Sequence, residues 1–219
     1  VAVGRDADAL GRVVAAAAGS AVAEVCDISD EAAVIQLFER VGDVDVLVNS
    51  AGISTSAPLR RHSLADWRAQ LEVNATGAFL CTRSVVAGML ERDRGRIIFV
   101  ASVAGLAGAA YAAGYAASKH AMVGLMRTVA AEVAGTGVTA NAVCPTYVAT
   151  EMTVRTVARI SAVTGRSRGE AEGVLTRSSL LGRLLEPDEV AFAVDFLAAP
   201  EAGAINGQTL TLDGGGLLR

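Results

Sequence analysis

The chain has 219 residues, is 52% hydrophobic and 19% charged, and carries a formal net charge of -4. With a mean hydropathy of +0.43, this describes a single globular domain spanning 1-219 with ample material for a core, and it excludes a disordered chain. The acidic balance and the lack of a basic tract exclude a nucleic-acid partner. The cysteines Cys26, Cys81 and Cys144 are odd in number and form no CxxC pair, so a disulfide framework is not expected and a reducing, cytoplasmic setting is. His62 and His120 are the only histidines, too few to anticipate a metal site. No apolar run reads as membrane-spanning and no signal peptide is visible, so no membrane association is expected.

In chain order, Val1 to Val3 reads as the end of a strand and residues 6–18 as a helix. Ala21 to Cys26 is a short apolar strand followed by Asp27. Residues 30–41 are helical, with Asp30 or Ser29 as N-cap. Val44 to Val48 lacks polar alternation and reads as a buried parallel strand. Residues 49–63 form a polar loop, and a long helical region covers about 64–92. Gly95 to Ala101 is a further buried strand, followed by a helix at about 112–135 and a strand at Val138 to Val143. Residues 145–186 read as irregular with short helical stretches. Pro187 opens a helix to about 199, and Gln208 to Leu212 is the last strand. Regular alternation of strand and helix predicts an α/β fold, a doubly wound parallel sheet in a three-layer αβα arrangement. Ligands in such sheets sit beyond the carboxyl ends of the strands. Arg5, Asp27, Asn49, Ser102 and Pro145 all follow strands directly.

Tyr115-Ala-Ala-Ser-Lys119 places a phenol and an ammonium at i, i+4, on one face of a helix. An adjacent ammonium favours the phenolate, so Lys119 is expected to lower the pKa of Tyr115 and fit the pair for acid/base work near neutral pH. Taken alone, the pattern also describes a surface tyrosine beside a solvated lysine. Ser102, directly after a buried strand, can donate to a substrate carbonyl or simply cap a helix. Asn74 in Leu-Glu-Val-Asn-Ala-Thr-Gly-Ala-Phe can tie down a helix kink, and Asn49 can serve a turn. The order of the four features along the chain, and their places at strand ends and on helices, favours the chemical reading.

The segments Cys26-Asp-Ile-Ser-Asp30, Asp45-Val-Leu-Val-Asn-Ser-Ala-Gly52, Val73-Asn-Ala-Thr-Gly-Ala-Phe79, Gly95 to Gly105, Tyr115 to Lys119, Val138 to Pro145 followed by Thr150, and Ile205 to Gly215 resemble the classical short-chain dehydrogenase/reductases over the whole length. Bacterial 3-oxoacyl-thioester reductases acting on acyl-carrier-protein or coenzyme A substrates, and polyketide ketoreductases, are the most similar members. The resemblance implies a Rossmann-type fold and hydride transfer between NADP(H) and a carbonyl or secondary alcohol. It implies that Tyr115 protonates the carbonyl oxygen, Ser102 hydrogen-bonds it, Lys119 holds the nicotinamide ribose, and Asn74 holds a water in a proton relay. It also implies that Asp27 and Ile28 contact adenine, that Asn49, Ala51 and Gly52 line the cofactor, and that Pro145, Val148 and Thr150 flank the nicotinamide carboxamide. Arg5 stands next to the place where an acidic residue often binds the ribose 2′-hydroxyl, and a guanidinium suits a 2′-phosphate. NADP(H) is therefore expected over NAD(H).

Ser50 replaces the second asparagine of the family's Asn-Asn-Ala-Gly, and Thr146 replaces the glycine after its proline. No glycine-rich turn joins a strand to a helix. The family layout leads us to expect that the strand, glycine-rich turn and first helix absent from this chain lie in about 30 to 40 preceding residues of the natural protein, since a missing central strand leaves unpaired edges. The stretch 145–186 is expected to form a substrate lid. Its arginines, Arg155, Arg159, Arg166, Arg168, Arg177 and Arg183, suit an anionic acyl carrier. Helices apolar on more than one face point to a homotetramer or homodimer. A catalytically inactive subunit or scaffold is the rival reading. A serine hydrolase would need G-x-S-x-G and a histidine partner, whereas Ser102 lies in Val-Ala-Ser-Val-Ala-Gly, His62 reads as a loop residue, and His120 faces away.

Overall fold

The computed structural model describes residues 1–17, 19, 21–177 and 179–218. Strand β1 (Ala2–Gly4) leads to α1 (Ala7–Ala16), whose N-cap Asp6 accepts the Ala9 N–H at 2.9 Å. Strand β2 (Ala23–Val25) leads to α2 (Glu31–Val41). Asp30 caps α2 by accepting from Ala32 and Ala33, and Gly42 at φ 72° ends it, a conformation that favours glycine. Strand β3 (Val46–Asn49) precedes a continuous helical rod made of α3 (Leu64–Leu71), a π turn (Glu72–Thr76) and α4 (Gly77–Glu91). Then follow β4 (Gly95–Val100), α5 (Ala113–Glu132), β5 (Val138–Pro145), α6 (Glu151–Thr164), α7 (Arg168–Arg177), α8 (Pro187–Ala198) and β6 (Thr209–Leu212).

All strand pairs are parallel, and helices cover both faces, as in a Rossmann-type α/β fold. Among the described residues the strands form two sheets rather than one, β1-β2 and β3-β4-β5-β6. The ladder stops at β1 and β3. Their facing edges line an apolar groove of about 580 Å³ with Leu10, Leu37, Phe38 and Cys81.

Apolar residues on β4 and β5 alternate between two helical layers. Ile97, Phe99, Ala140 and Ala142 meet Val85, Met89, Met122 and Met126 of α4 and α5. Ile98 and Val143 meet Ala193 and Leu197 of α8 on the opposite face. Every residue of β5 is buried, which is why its sequence shows no polar alternation. The edge strand β6 is fixed by side-chain amides. Asn141 donates to Ile205 O (2.7 Å) and accepts the Gln208 N–H (2.9 Å), while Asn206 accepts from Ala140 and donates to Ala130 O.

Two sequence expectations need correction. Residues 145–186 are not mainly irregular, since they contain α6 and α7. Their shared apolar contact, Val157 with Ala171 and Leu175, holds two amphipathic helices that the many polar residues between them obscure. The rod Leu64–Glu91 is also 28 residues long, and its most apolar stretch reaches a mean hydropathy of 1.2, which meets the length and composition of a membrane span. Its buried residues Leu80, Val85 and Met89 pack into the two core clusters beside the sheet, as in a core helix.

Candidate active site

The carboxyl ends of β4 and β5 open onto a cavity of about 660 Å³, within the range of small-molecule sites. Ser102, Tyr115 and Lys119 line it together. Ser102 leaves β4 in extended conformation and caps a short 3-10 turn, its Oγ accepting the Ala104 N–H at 3.1 Å. Its own proton points toward Pro145 O at 3.4 Å, a long contact that a better acceptor can displace. Tyr115 lies in the first turn of α5, and Lys119 follows one turn later.

Lys119 is 4% exposed. Its Nζ donates to Val100 O at 2.8 Å, lies 3.3 Å from Met122 Sδ and stands 5.7 Å from the centre of the Tyr115 ring. Desolvation lowers its pKa to about 8. The expectation that Lys119 depresses the phenol is not met. Burial pushes the Tyr115 phenol up, and hydrogen bonding with Ser102 opposes only part of that rise. The ammonium's charge is directed to a backbone carbonyl and a thioether, so the phenol keeps its proton at neutral pH. Burial also raises the neighbouring Cys144 thiol to about 11, so it stays protonated.

Asn74 does not line the cavity. The π turn directs it inward, where it is fully buried. Its Oδ1 accepts the Ile53 N–H (2.8 Å), and its Nδ2 donates to Ile53 O (3.0 Å) and Ser118 Oγ (2.9 Å). Ser118 in turn donates to Tyr115 O at 2.8 Å. Asn74 thus ties the loop after β3 to the helix bearing Tyr115, the tying role its position on a kinked helix allowed. Both amide hydrogens are committed, and only an Oδ1 lone pair remains for a water.

The expected cofactor residues fall into separate groups. Gly52, Pro145, Val148 and Thr150 share the cavity with Ser102, Tyr115 and Lys119, whereas Ile28, Asn49 and Ala51 line the groove between the sheets. Asn49 donates to Thr82 Oγ1 at 3.1 Å, joining β3 to α4. Arg5 and Asp27 line neither. They form a solvent-exposed pair at 3.5 Å. Hydrogen bonds from Ser29 are the main cause holding the Asp27 carboxyl below its ordinary range, with a smaller contribution from Arg5. At the two sequence departures, Ser50 donates its N–H to Val48 O and Thr146 donates its N–H to Leu212 O at 3.0 Å, and both residues line the cavity.

A nicotinamide dinucleotide fits this set. The cavity lies at the carboxyl ends of parallel strands, where such ligands bind. Beside the buried ammonium, Gly52 has no room to spare, since a Cβ there would lie 3.3 Å from Asn74 Oδ1 and 3.6 Å from Lys119 Nζ. The arginines between Tyr147 and Leu185 are placed differently from expectation. None lines the cavity, and Arg155 and Arg183 pair with Glu151 and Glu189. The wall there comes from Tyr147, Met152, Thr153 and Thr156, with Val190 and Val194 of α8. The i, i+4 pair Met152 and Thr156 was the available sequence signal for this wall.

Comparison with known proteins agrees with this geometry. The short chain dehydrogenase family model matches residues 1–160. A 3-oxoacyl-[acyl-carrier-protein] reductase of Synechocystis is 40% identical, over 95% of this chain and 81% of that protein. An acetoacetyl-CoA reductase of Shinella zoogloeoides is 37% identical, over 86% of this chain and 76% of that protein. The crystal structure of a variant actinorhodin polyketide ketoreductase with NADPH superimposes with a TM-score of 0.89 at 37% identity, covering 97% of this chain and 85% of that one. The chain therefore belongs to the short-chain dehydrogenase/reductase family and is an oxidoreductase.

Proposed function

We propose that the protein reduces the keto group of a 3-oxoacyl thioester or polyketide, with NADPH preferred to NADH. The observation that carries this reading is the convergence of Ser102, Tyr115 and a buried Lys119 on one largely apolar cavity. The bound cofactor supplies the hydride. Ser102 Oγ turns from Pro145 O to the substrate's carbonyl oxygen and fixes it. Tyr115, protonated at neutral pH because burial raises its pKa, donates its proton to that oxygen as charge develops there. Lys119, with a pKa of about 8, is positioned to exchange protons with the site and to hold ribose hydroxyls. Val148 and Thr150 offer polar groups to the carboxamide beside Pro145. The relatives' acyl-thioester and ketoacyl substrates support the substrate class, and the NADPH of the structural neighbour supports the cofactor.

Arg5 extends the preference to the 2′-phosphate, and its exposed pairing with Asp27 leaves the guanidinium accessible. The stretch 145–186 acts as the substrate lid through the cavity wall of α6, not through its arginines. Exposed Phe79 and Leu90 on α4, and Phe192 and Phe196 on α8, support self-association as a dimer or tetramer. NADPH consumption with acetoacetyl thioesters tests the central reading. Turnover with NADPH well above that with NADH is the expected result. Cofactor binding without turnover of any ketone would favour a non-catalytic subunit instead.

A further inference from the structure

Gln70, on α3 one turn before Asn74, is fully buried although it lies outside the catalytic cavity. A buried amide must be hydrogen-bonded, and its partners fix its orientation. Its Oε1 accepts the Thr55 N–H at 3.0 Å, and its Nε2 donates to Asp66 O at 3.0 Å. The same Nε2 faces His62 Nε2 at 3.4 Å. Two donors cannot face one another, so the His62 proton belongs on Nδ1, which is buried and has no hydrogen-bond partner among the described residues.

Gln70 and His62 also press on Gly114, the residue immediately before Tyr115. A Cβ at Gly114 would lie 2.6 Å from Gln70 Nε2, 2.8 Å from His62 Nε2 and 3.3 Å from Trp67 Cα. Glycine is therefore required there by close approach. A second tie joins the same segments, since Ala57 N donates to Tyr111 O at 2.8 Å. Ser54 and Ser56, the neighbours of Thr55, share the catalytic cavity with Tyr115.

We propose that Gln70 is a positioning residue, clamping the loop around Thr55 to the first turn of α5 through Gly114 and so fixing the Tyr115 phenol relative to the wall formed by Ser54 and Ser56. The proposal rests on the reductase reading for its kinetic consequence, but the clamp itself is observable without turnover.

The test compares Gln70→Met, Gln70→Glu and Gly114→Ala with the unaltered protein. Gln70→Met keeps the length of the side chain and removes its hydrogen bonds, and amide exchange at Thr55 should accelerate by about tenfold or more. With acetoacetyl thioester and NADPH, its KM should rise about tenfold while the Kd of NADPH stays within about twofold, because only the substrate wall is displaced. Gly114→Ala, which keeps Gln70 but presses a Cβ against its Nε2, should raise KM in the same direction and decides the matter if Gln70→Met does not fold. Gln70→Glu keeps the acceptor for Thr55 but donates to Asp66 O only when protonated, so its KM should climb with pH while that of the unaltered protein does not. Wild-type KM and kcat in a folded Gln70→Met protein, or unchanged exchange at Thr55, would overturn the proposal. If the unaltered protein reduces no ketone, the reductase reading fails by itself. The clamp is then decided by Thr55 exchange and by the Tyr115 titration, read as the difference from Tyr115→Phe, which should shift in Gln70→Met. An unshifted titration would overturn it.

Discussion

The two sheets differ in how they hold their candidate functional residues. On the four-stranded side, Ser102 and Lys119 are nearly buried, and Lys119 is fixed by a backbone acceptor. On the two-stranded side, Arg5 and Asp27 are solvent-exposed and meet at 3.5 Å. Both sets sit at carboxyl ends of parallel strands. The difference teaches that topology places a site, whereas burial decides how tightly its charges are poised. Under the proposed function the poised set serves the chemistry and the accessible set serves recognition of the 2′-phosphate.

Substitutions on the two sides should separate these roles. The largest effect is expected from Tyr115→Phe, which removes the acid. Its kcat should fall by about a thousandfold with NADPH affinity nearly intact, and substantial residual turnover would break the assignment. Lys119→Met should also abolish turnover, yet stabilise the fold. A lysine whose pKa falls from 10.5 to about 8 on burial stays charged in both states at pH 7, and the desolvated charge then opposes folding. The variant should gain up to about 3 kcal/mol at pH 7 by urea titration. That gain should shrink as pH rises from about 8 to 10.5 and vanish above it, because the wild-type lysine is then neutral in both states. Through the same group, the reductive rate of the unaltered protein should decline above about pH 8.

Asn74→Ala should act mainly on stability, losing roughly 1–3 kcal/mol because the part-buried Ile53 N–H and O and the buried Ser118 Oγ lose their shared partner. A loss of activity with unchanged stability would instead favour the relay role. The smallest structural effect belongs to Arg5→Ala. Its exposed ion pair is worth under about 1 kcal/mol, so the melting temperature should barely move. Its NADPH affinity should weaken about tenfold more than its NADH affinity, and equal losses would remove the 2′-phosphate assignment.

That Ser102, Tyr115 and Lys119, the proposed catalytic residues, meet at one cavity was legible because their signals are local. Tyr115 and Lys119 share a helix face by spacing, Ser102 follows a continuous apolar strand, and Asp30 stands where a cap must. The Tyr115 pKa was misread because spacing fixes which side chains are neighbours but not where the ammonium points. Lys119 turns to Val100 O, 19 residues earlier in sequence. Gln70 gave no signal for the same reason. Thr55 and Gly114 lie 15 and 44 positions away, and only the folded chain brings them together. The unpaired sheet edges were anticipated from the family layout, in which a strand absent from this chain is central.

The wide turn at Glu72–Thr76 holds one residue more than a regular helix would, and that residue is worth about 100° of rotational phase. α3 and α4 are therefore two helices out of phase on one axis, with Asn74 directed at Ile53 while Met89 still reaches the core. Removing a single residue from this turn would improve the local backbone geometry and rotate one half of the rod against the other. Natural or engineered variation here should consist of substitutions and never of changes in length, even those that favour the helix itself.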